Sequence, residues 1–333
     1  MAEFLPVFYF FIMGLALLVY VVLDGYDLGI GLLFPWASDL EKDLMIASIG
    51  PFWDANETWI VLGVGVLLIA FPQAHGEILA GLYIPVTIML LGLILRGVAF
   101  EFRVKAGERY KKNWNQCFFI GSLTASLAQG WMLGAYITAL EFDTISLLFS
   151  FCIALTLPAL YVLLGCAWLL IKTEGDLYNK SINWARLMLA PMATGLVLVS
   201  VATPLVSASI AEKWFTVQSF IGLLPIPLSC AIALLTIAAM LRHPNWLFGG
   251  REWFVFAALL VVCLMACIGL AYSLYPYIII DRLTLWEAAA ATESLQFIAY
   301  GVVLTVPAIA AYTAFTYWVF RGKSSTLSYG DIE

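Results

Sequence analysis

A short stretch of the chain, PFWDANETW at Pro51–Trp59, concentrates groups that could carry protons or cations. Asp54 and Glu57 lie three residues apart within it, and side chains at that spacing share one face of a helix. An unbroken apolar run, Ile60–Phe71, follows at once. Acids at the mouth of an apolar helix indicate a proton or cation route if that helix crosses a membrane. A helix N-terminus also favours a carboxylate through its positive dipole end, so a plain capped helix start is the alternative.

Two other apolar runs end in charged residues. Asp24 and Asp27 lie in LDGYDLGIG after the first run, and Arg96 and Glu101 lie in RGVAFEFR at the end of the third. If consecutive runs cross a membrane in alternating directions, all three motifs meet near one face of it. One arginine cannot neutralise five acids, and unpaired charges in low dielectric are costly unless they are protonated or hydrated. We therefore expect a hydrated acidic funnel that opens to the cytoplasm.

A structural interpretation of the same residues is the alternative to the funnel. Arg96 could neutralise one or two of the acids and pin the helices together, because structural ion pairs also occur in membranes. Asp24 and Asp27 could equally end a helix in a solvated turn. The glycines of their motif would allow either a close helix approach or a break. The excess of acids over arginine favours the funnel for the set as a whole.

Composition indicates which solvent surrounds these charges. Hydrophobic residues make up 63% of the 333 residues and charged residues 11%, whereas soluble domains contain about 25% charged residues. The mean hydropathy is +0.97, and crossing a bilayer takes about 20 apolar residues. We predict an all-α polytopic membrane protein with nine spans at Phe4–Leu23, Trp59–Phe71 with its leading turn, Ile78–Phe100, Cys117–Leu140, Ile145–Ile171, Leu187–Ser207, Ser219–Leu241, Trp253–Tyr275 and Leu295–Phe320.

Positive charges predict the orientation of these spans. If the N-terminus is outside, thirteen of the 16 lysines and arginines fall in segments that face the cytoplasm. Two fall in outward segments, and Arg96 lies within a span. Because lysine and arginine concentrate in cytoplasmic loops, we predict an outward N-terminus and a cytoplasmic C-terminus.

Residues that hold cofactors are scarce. The two histidines, His75 in a short outer turn and His243, fall at the ends of predicted spans. A haem held by two axial histidines of this chain is therefore not expected. The six cysteines are scattered through apolar runs without ligand or disulfide spacing, so we predict no metal site and no disulfide. We expect Gln129, Glu293 and Gln296, isolated polar residues near spans, to satisfy helix–helix hydrogen bonds.

Taken together, the motifs resemble subunit II of the cytochrome bd-type quinol oxidases. The resemblance rests on LDGYDLGIG at 23–31, PFWDANETW at 51–59, RGVAFEFR at 96–103 and SLYPY at 273–277, which occur in the family's order. The short length and compact inner loops look most like the cyanide-insensitive-oxidase branch of the family. The resemblance implies a place in the bacterial inner membrane, with the N-terminus in the periplasm.

The resemblance also implies a fold and an assembly. The chain would be a single membrane domain with one four-helix bundle over about 1–140, a second over about 145–275 and an extra peripheral helix over about 285–321. Its partner would be a larger subunit I that holds the b-type and d-type haems and the quinol-oxidising loop. Small accessory subunits and a structural quinone accompany some members. Membrane lipid and ubiquinol are the other expected partners, and nucleic acid is not expected.

The activity that the resemblance implies is the oxidation of ubiquinol and the reduction of oxygen to water, which generates proton-motive force without pumping. This chain would be a haem-free scaffold without catalytic residues that contributes to proton intake from the cytoplasm. The positions that match the family's proton-path acids are Asp24, Asp27, Asp54 and Glu101. Glu57 matches less well, because the family often has an uncharged polar residue there. Arg96 would be the charge partner of these acids.

Two other functions fit the same charges. A secondary transporter would use its acids to bind substrate or coupling ions, but transporters carry broken helices at the midplane, whereas these acids cluster near one face. A purely structural partner would use its acids to lock helices together. Among the acids we expect Asp54 to be the most sensitive to substitution, because the helix dipole favours its ionised form while desolvation favours the neutral one.

Overall fold

The computed structural model describes residues 3–206, 208–216, 221–247 and 249–324. Within these ranges, nine helices are long and apolar enough to cross a membrane, which confirms the predicted number of spans. The predicted span ends at Ser207 and Ser219 lie outside the described residues. The helices are α1 (Phe4–Leu33), α2 (Asp39–Ile49), α3 (Trp53–Ala70), α4 (Pro72–Gly81), α5 (Tyr83–Lys105), α6 (Glu108–Ile137), α7 (Thr144–Lys172), α8 (Gly175–Val206), α9 (Ala208–Phe215), α10 (Pro225–Arg242), α11 (Trp253–Leu274), α12 (Leu285–Ala288) and α13 (Thr292–Val319).

Helix α1 differs from its prediction at its C-terminal end. It was expected to end at Leu23, but it continues to Leu33 through both aspartates of its motif. Asp24 is 0% exposed and Asp27 is 1% exposed, so neither ends a helix in a solvated turn. The helix persists because α3, α6, α7 and α11 pack around it, and this packing removes the aspartates from water.

Glycines set the crossings that bring these helices together. A Cβ at Gly29 of α1 would lie 1.8 Å from the carbonyl oxygen of Tyr161 on α7, so the two backbones touch. A Cβ at Gly121 of α6 would lie 2.7 Å from the backbone nitrogen of Arg96 on α5. Small residues at helix crossings allow this close approach in membrane proteins. The second crossing fixes the backbone that carries Arg96.

Several helix starts also differ from the prediction. Helix α3 begins at Trp53, before the predicted span start at Trp59, and follows a turn that contains Pro51. Helices α6 and α8 begin at Glu108 and Gly175, which is earlier than the apolar runs indicated. Their first turns are polar, and a search for apolar runs cannot detect such turns.

The sequence pattern did not predict the short helices α2 and α4. Helix α2 starts with a capping box, in which the backbone nitrogen of Ser38 donates to Oε2 of Glu41 at 2.7 Å and the Ser38 hydroxyl accepts from the Glu41 nitrogen. Helix α4 lies between α3 and α5, so His75 is helical and does not lie in a short turn. Helix α5 consequently begins at Tyr83 and not at Ile78.

A small hairpin precedes the last helix. Strand β1 (Tyr277–Ile279) pairs antiparallel with strand β2 (Leu283–Thr284). A capping box between Thr284 and Glu287 then starts α12. Hydrogen bonds from the capping box to the carboxylate outweigh its slight desolvation and lower the pKa of Glu287. The connection between α11 and α13 is therefore an ordered element.

Helix α13 is the least buried of the nine described spans, and it packs on α3 and α1. Nε1 of Trp59 on α3 donates to the hydroxyl of Thr313 at 3.2 Å. Just beyond the C-terminal end of α13, the buried amine of Lys172 on α7 donates to the carbonyl oxygens of Phe320 and Gly322. Both contacts attach the C-terminal part of α13.

Gly29→Ala is expected to reduce assembly sharply, because its methyl group would overlap the Tyr161 carbonyl and overpacking of an interior costs about 1–3 kcal/mol or more. The measurement is the yield and melting temperature of protein purified from membranes in mild detergent. Gly14→Ala is the matched control on the same helix, since its methyl group would meet no described atom within 4 Å. Equal yield and melting temperature for the two variants would contradict the crossing.

Candidate functional site

Charged residues of α1, α3 and α5 meet at one buried position. Arg96 is 3% exposed, and its Nη2 lies 2.6 Å from Oδ1 of Asp24, which is 0% exposed. Oε2 of Glu57 lies 3.9 Å from the same Nη2, and the Glu57 side chain is 34% exposed. Arg96 therefore contacts two of the five acids, one from inside the protein and one from its edge.

Asp27 belongs to a second network, which is organised by Asn56. Nδ2 of Asn56 donates to Oδ2 of Asp27 at 2.9 Å and to the Tyr26 hydroxyl at 2.8 Å. The Tyr317 hydroxyl on α13 donates to Oδ1 of Asn56 at 3.0 Å and lies 2.6 Å from the Tyr26 hydroxyl. The single hydroxyl hydrogen of Tyr317 is used in the bond to Asn56. In the contact between the two hydroxyls, Tyr26 is therefore the donor and Tyr317 the acceptor. The three side chains form a closed ring with one direction.

A third network reaches Asp24 from α6 and α7. The Tyr161 hydroxyl donates to Oε1 of Gln129 at 2.5 Å, and Nε2 of Gln129 donates to the Tyr20 hydroxyl at 2.8 Å. Tyr20 precedes Asp24 by four residues on α1, and its hydroxyl lies within interaction range of that carboxylate. Gln129 thus links three helices, which confirms the helix–helix hydrogen bonds predicted for it.

The remaining acids lie nearer the surface. The Glu101 side chain is 48% exposed, and its Oε2 lies 3.4 Å from Nζ of Lys105. Asp54 is exposed in the first turn of α3 and within electrostatic range of Glu101. Glu57 is within electrostatic range of both Asp54 and Asp24. The acids therefore form a series that leads from the surface to the buried aspartates of α1.

The space beside this series is much narrower than the expected hydrated funnel. The cavity at Asp27 and Arg96 has a volume of about 10 Å³, which is room for about one water molecule. Trp53 and Phe100 line it, with ring centroids 5.0 Å apart. The aromatic residues of the charged motifs themselves occupy the space that the funnel interpretation assigned to water.

Comparison with known proteins places the chain in a family. The family model for cytochrome bd terminal oxidase subunit II matches residues 5–320. The chain belongs to this family. The cytochrome bd ubiquinol oxidase subunit 2 of Bacillus subtilis (strain 168) is 27% identical over 95% of the chain and 96% of its own length. The cytochrome bd-I ubiquinol oxidase subunit 2 of Escherichia coli (strain K12) is 26% identical over 96% of the chain and 95% of its own length.

A solved structure has the same fold. The bd oxidase structure from Geobacillus thermodenitrificans matches with a TM-score of 0.76 at 15% identity, over 96% of this chain and 99% of that chain. Membership of the cytochrome bd subunit II family confirms the resemblance drawn from the motifs and makes the chain a subunit of a quinol oxidase. The family also implies haems in the complex and a subunit I partner. The bundle arrangement and the cyanide-insensitive branch stay predictions.

Sequence reasoning missed the residue that organises the Asp27 network. Asn56 carries no charge and stands between Asp54 and Glu57, so a search for charged residues does not detect it. Its signal is its register, because Asn56, Trp59 and Gly63 form the buried stripe of α3. By contrast, Glu293 and Gln296, which were expected between helices, are exposed on α13.

Asn56→Leu is expected to destabilise the protein by about 1–3 kcal/mol for each buried group that loses a hydrogen bond. These groups are the Asp27 carboxylate and the hydroxyls of Tyr26 and Tyr317. The measurement is the thermal unfolding of the purified complex. Tyr317→Phe removes one ring hydroxyl and should have a smaller effect. Thr305→Val removes an exposed hydroxyl on α13 and should leave the melting temperature unchanged. An Asn56→Leu variant as stable as Thr305→Val would refute the organising role.

Proposed function

We propose that this chain takes up protons from the cytoplasm for oxygen reduction in a cytochrome bd-type quinol oxidase, and that it binds no haem itself. The observation that supports this proposal is the graded burial of its acids. Side-chain exposure falls from 48% at Glu101 to 34% at Glu57 and 0% at Asp24. Acids inside membrane spans are rare and are typical of proton relays.

In this proposal the two sides of the membrane have different roles. Subunit I oxidises ubiquinol near the outer side, and the protons of the quinol leave there. Electrons pass through the haems of subunit I to oxygen, and the protons that form water enter from the cytoplasm. Charge is separated across the membrane because oxidation and protonation occur on opposite sides. This chain contributes scaffold, an interface with subunit I and the proton intake.

The acids of the series have distinct tasks in this intake. Asp54 and Glu101 collect protons at the surface, and Glu57 receives them beside Arg96. The guanidinium of Arg96 stays charged throughout, because arginine does not deprotonate in proteins, so it orients the acids without taking part in the transfer. Asp27 lies at the inner end of the series and is held by Asn56.

The haems of the complex do not fit the histidines of this chain. His75 lies on α4, which is not one of the described spans. His243 is exposed at the end of α10 and packs against Trp246, with ring centroids 4.9 Å apart. We therefore place the b-type and d-type haems and the quinol site in subunit I.

Replacing His75 and His243 together by alanine is expected to leave every haem absorption band of the complex in place, because neither ring lies where a membrane-embedded haem needs its axial ligand. The measurement is the reduced-minus-oxidised spectrum of the purified complex, normalised to protein. Loss of one band from an assembled complex would assign that haem to this chain.

The arrangement in the membrane is part of the proposal. The distribution of lysine and arginine supports a periplasmic N-terminus and a cytoplasmic C-terminus in the bacterial inner membrane. We propose two four-helix bundles over about 1–140 and 145–275, with an extra helix over about 285–321. The inner ends of α1, α3 and α5 then face the cytoplasm, where the protons enter.

One observation favours a structural role for part of the site. Arg96 and Asp24 form a 2.6 Å ion pair with both side chains buried, and removing one partner of a buried ion pair costs about 3–5 kcal/mol. Asp24 would then lock α1 to α5 rather than exchange protons. The structural and proton-transfer roles coexist among these acids, because the ion pair between Arg96 and Asp24 holds the neighbouring acids in position.

Asp54→Asn is expected to slow oxygen reduction by roughly 100-fold, within the range that a positioned proton-transfer group contributes, while the haems stay in place. The amide keeps the shape of the side chain but cannot release a proton. The measurement is turnover per haem in the purified variant, followed against pH. The matched control is Asp176→Asn, because Asp176 is also exposed in the first turn of a spanning helix. Wild-type turnover in Asp54→Asn across the pH range would remove Asp54 from the path.

A further inference from the structure

A small cavity lies between the two buried acid networks. Its volume is about 10 Å³, the smallest size that holds one water molecule. Four apolar side chains form most of its wall: Ile49, Trp53, Phe100 and Phe118. Only two charged side chains reach it, Asp27 and Arg96. A volume of about 10 Å³ is too small for a quinone or a lipid. The polar groups available to an occupant are the side chains of Asp27 and Arg96.

One oxygen of the Asp27 carboxylate has no hydrogen bond within the described part of the chain. Oδ2 accepts from Asn56 at 2.9 Å, whereas Oδ1 is fully buried and has no partner there. Buried polar atoms are nearly always hydrogen-bonded in folded proteins, because an unsatisfied one carries the full cost of its desolvation. Asp27 itself is 1% exposed, so bulk water cannot reach this oxygen.

We propose that the cavity binds a single water molecule that bridges Oδ1 of Asp27 and the guanidinium of Arg96. The water donates one hydrogen to Oδ1 and accepts one from an N–H of Arg96, which gives it the two polar partners that a buried water needs. A cation is excluded as the occupant, because the positive guanidinium lines the same wall. An apolar guest would leave Oδ1 of Asp27 without a hydrogen bond.

The water has a consequence for proton intake, and this part rests on the proposed function. Asp27 and Arg96 belong to different hydrogen-bond networks, and the described side chains provide no direct bond between them. The bridging water joins the Asn56 network to the pair formed by Arg96 and Asp24. The hydrogen that the water donates to Oδ1 is the one that can pass to Asp27, while the remaining lone pair of the water oxygen accepts a replacement proton from the Glu57 side.

Gly97 offers a way to remove the water alone. It lines the cavity, and a Cβ on it would lie 3.6 and 3.8 Å from two atoms of the Trp53 ring. These are ordinary contacts, so Gly97→Ala should assemble, but a cavity for one water cannot also hold a methyl group. Gly97→Ser puts a hydroxyl in the same place. Gly65→Ala on α3 is the matched control, because its methyl group would meet no described atom within 4 Å.

The experiment combines an electron cryo-microscopy map that shows ordered waters with turnover per haem, both on the purified complex. The wild-type map should show one peak at about 2.7–3.2 Å from Oδ1 of Asp27. Gly97→Ala should lose the peak and slow turnover by roughly 100-fold. Gly97→Ser should recover part of the rate, and Gly65→Ala should behave as wild type. No peak in the wild type, or a peak that survives in Gly97→Ala, overturns the site.

Two further outcomes separate the water from the proton path. Loss of the peak in Gly97→Ala with unchanged turnover overturns the relay by this water, even if Asp54→Asn is slow and the path itself stands. Slow turnover in Gly97→Ala with wild-type turnover in Asp54→Asn would instead keep the water and overturn Asp54 as the proton collector.

Discussion

The buried ion pair between Arg96 and Asp24 is the strongest constraint on this fold. Taking two charges out of water costs several kcal/mol per ion, and attraction at close range offsets that cost only while the geometry is held. The 2.6 Å contact depends on two backbone crossings, one that sets α5 against α6 at Gly121 and one that sets α1 against α7 at Gly29. The short distance between Arg96 and Asp24 therefore depends on the close helix crossings at Gly29 and Gly121.

Asp24 and Asp27 lie three residues apart on one helix, yet their surroundings differ in kind. A full positive charge compensates Asp24, whereas Asp27 receives one hydrogen bond from the neutral amide of Asn56. A charge held by an ion pair is fixed in place, while one held by dipoles is free to be neutralised by a proton. This difference supports a locking role for Asp24 and an exchanging role for Asp27 in the proposed intake.

The sequence predicted the nine spans and the convergence of the charged motifs, because both follow from hydropathy and from alternating chain direction. It could not predict the C-terminal end of α1, since burial by four neighbouring helices keeps Asp24 and Asp27 helical where their residue types favour an end. The narrow cavity was hidden for a similar reason. A residue type does not reveal that Trp53 and Phe100 fill the space between acids.

The ring of Tyr26, Asn56 and Tyr317 has a direction, because each member both gives and receives a hydrogen. A substitution at one member leaves the other two with a donor facing nothing or an acceptor without a hydrogen. Two of these positions are 261 residues apart in the chain, so selection must act on them jointly. Across related sequences the three positions should change together. This coupling links the evolution of α13, which carries Tyr317, to the two motifs that carry Tyr26 and Asn56.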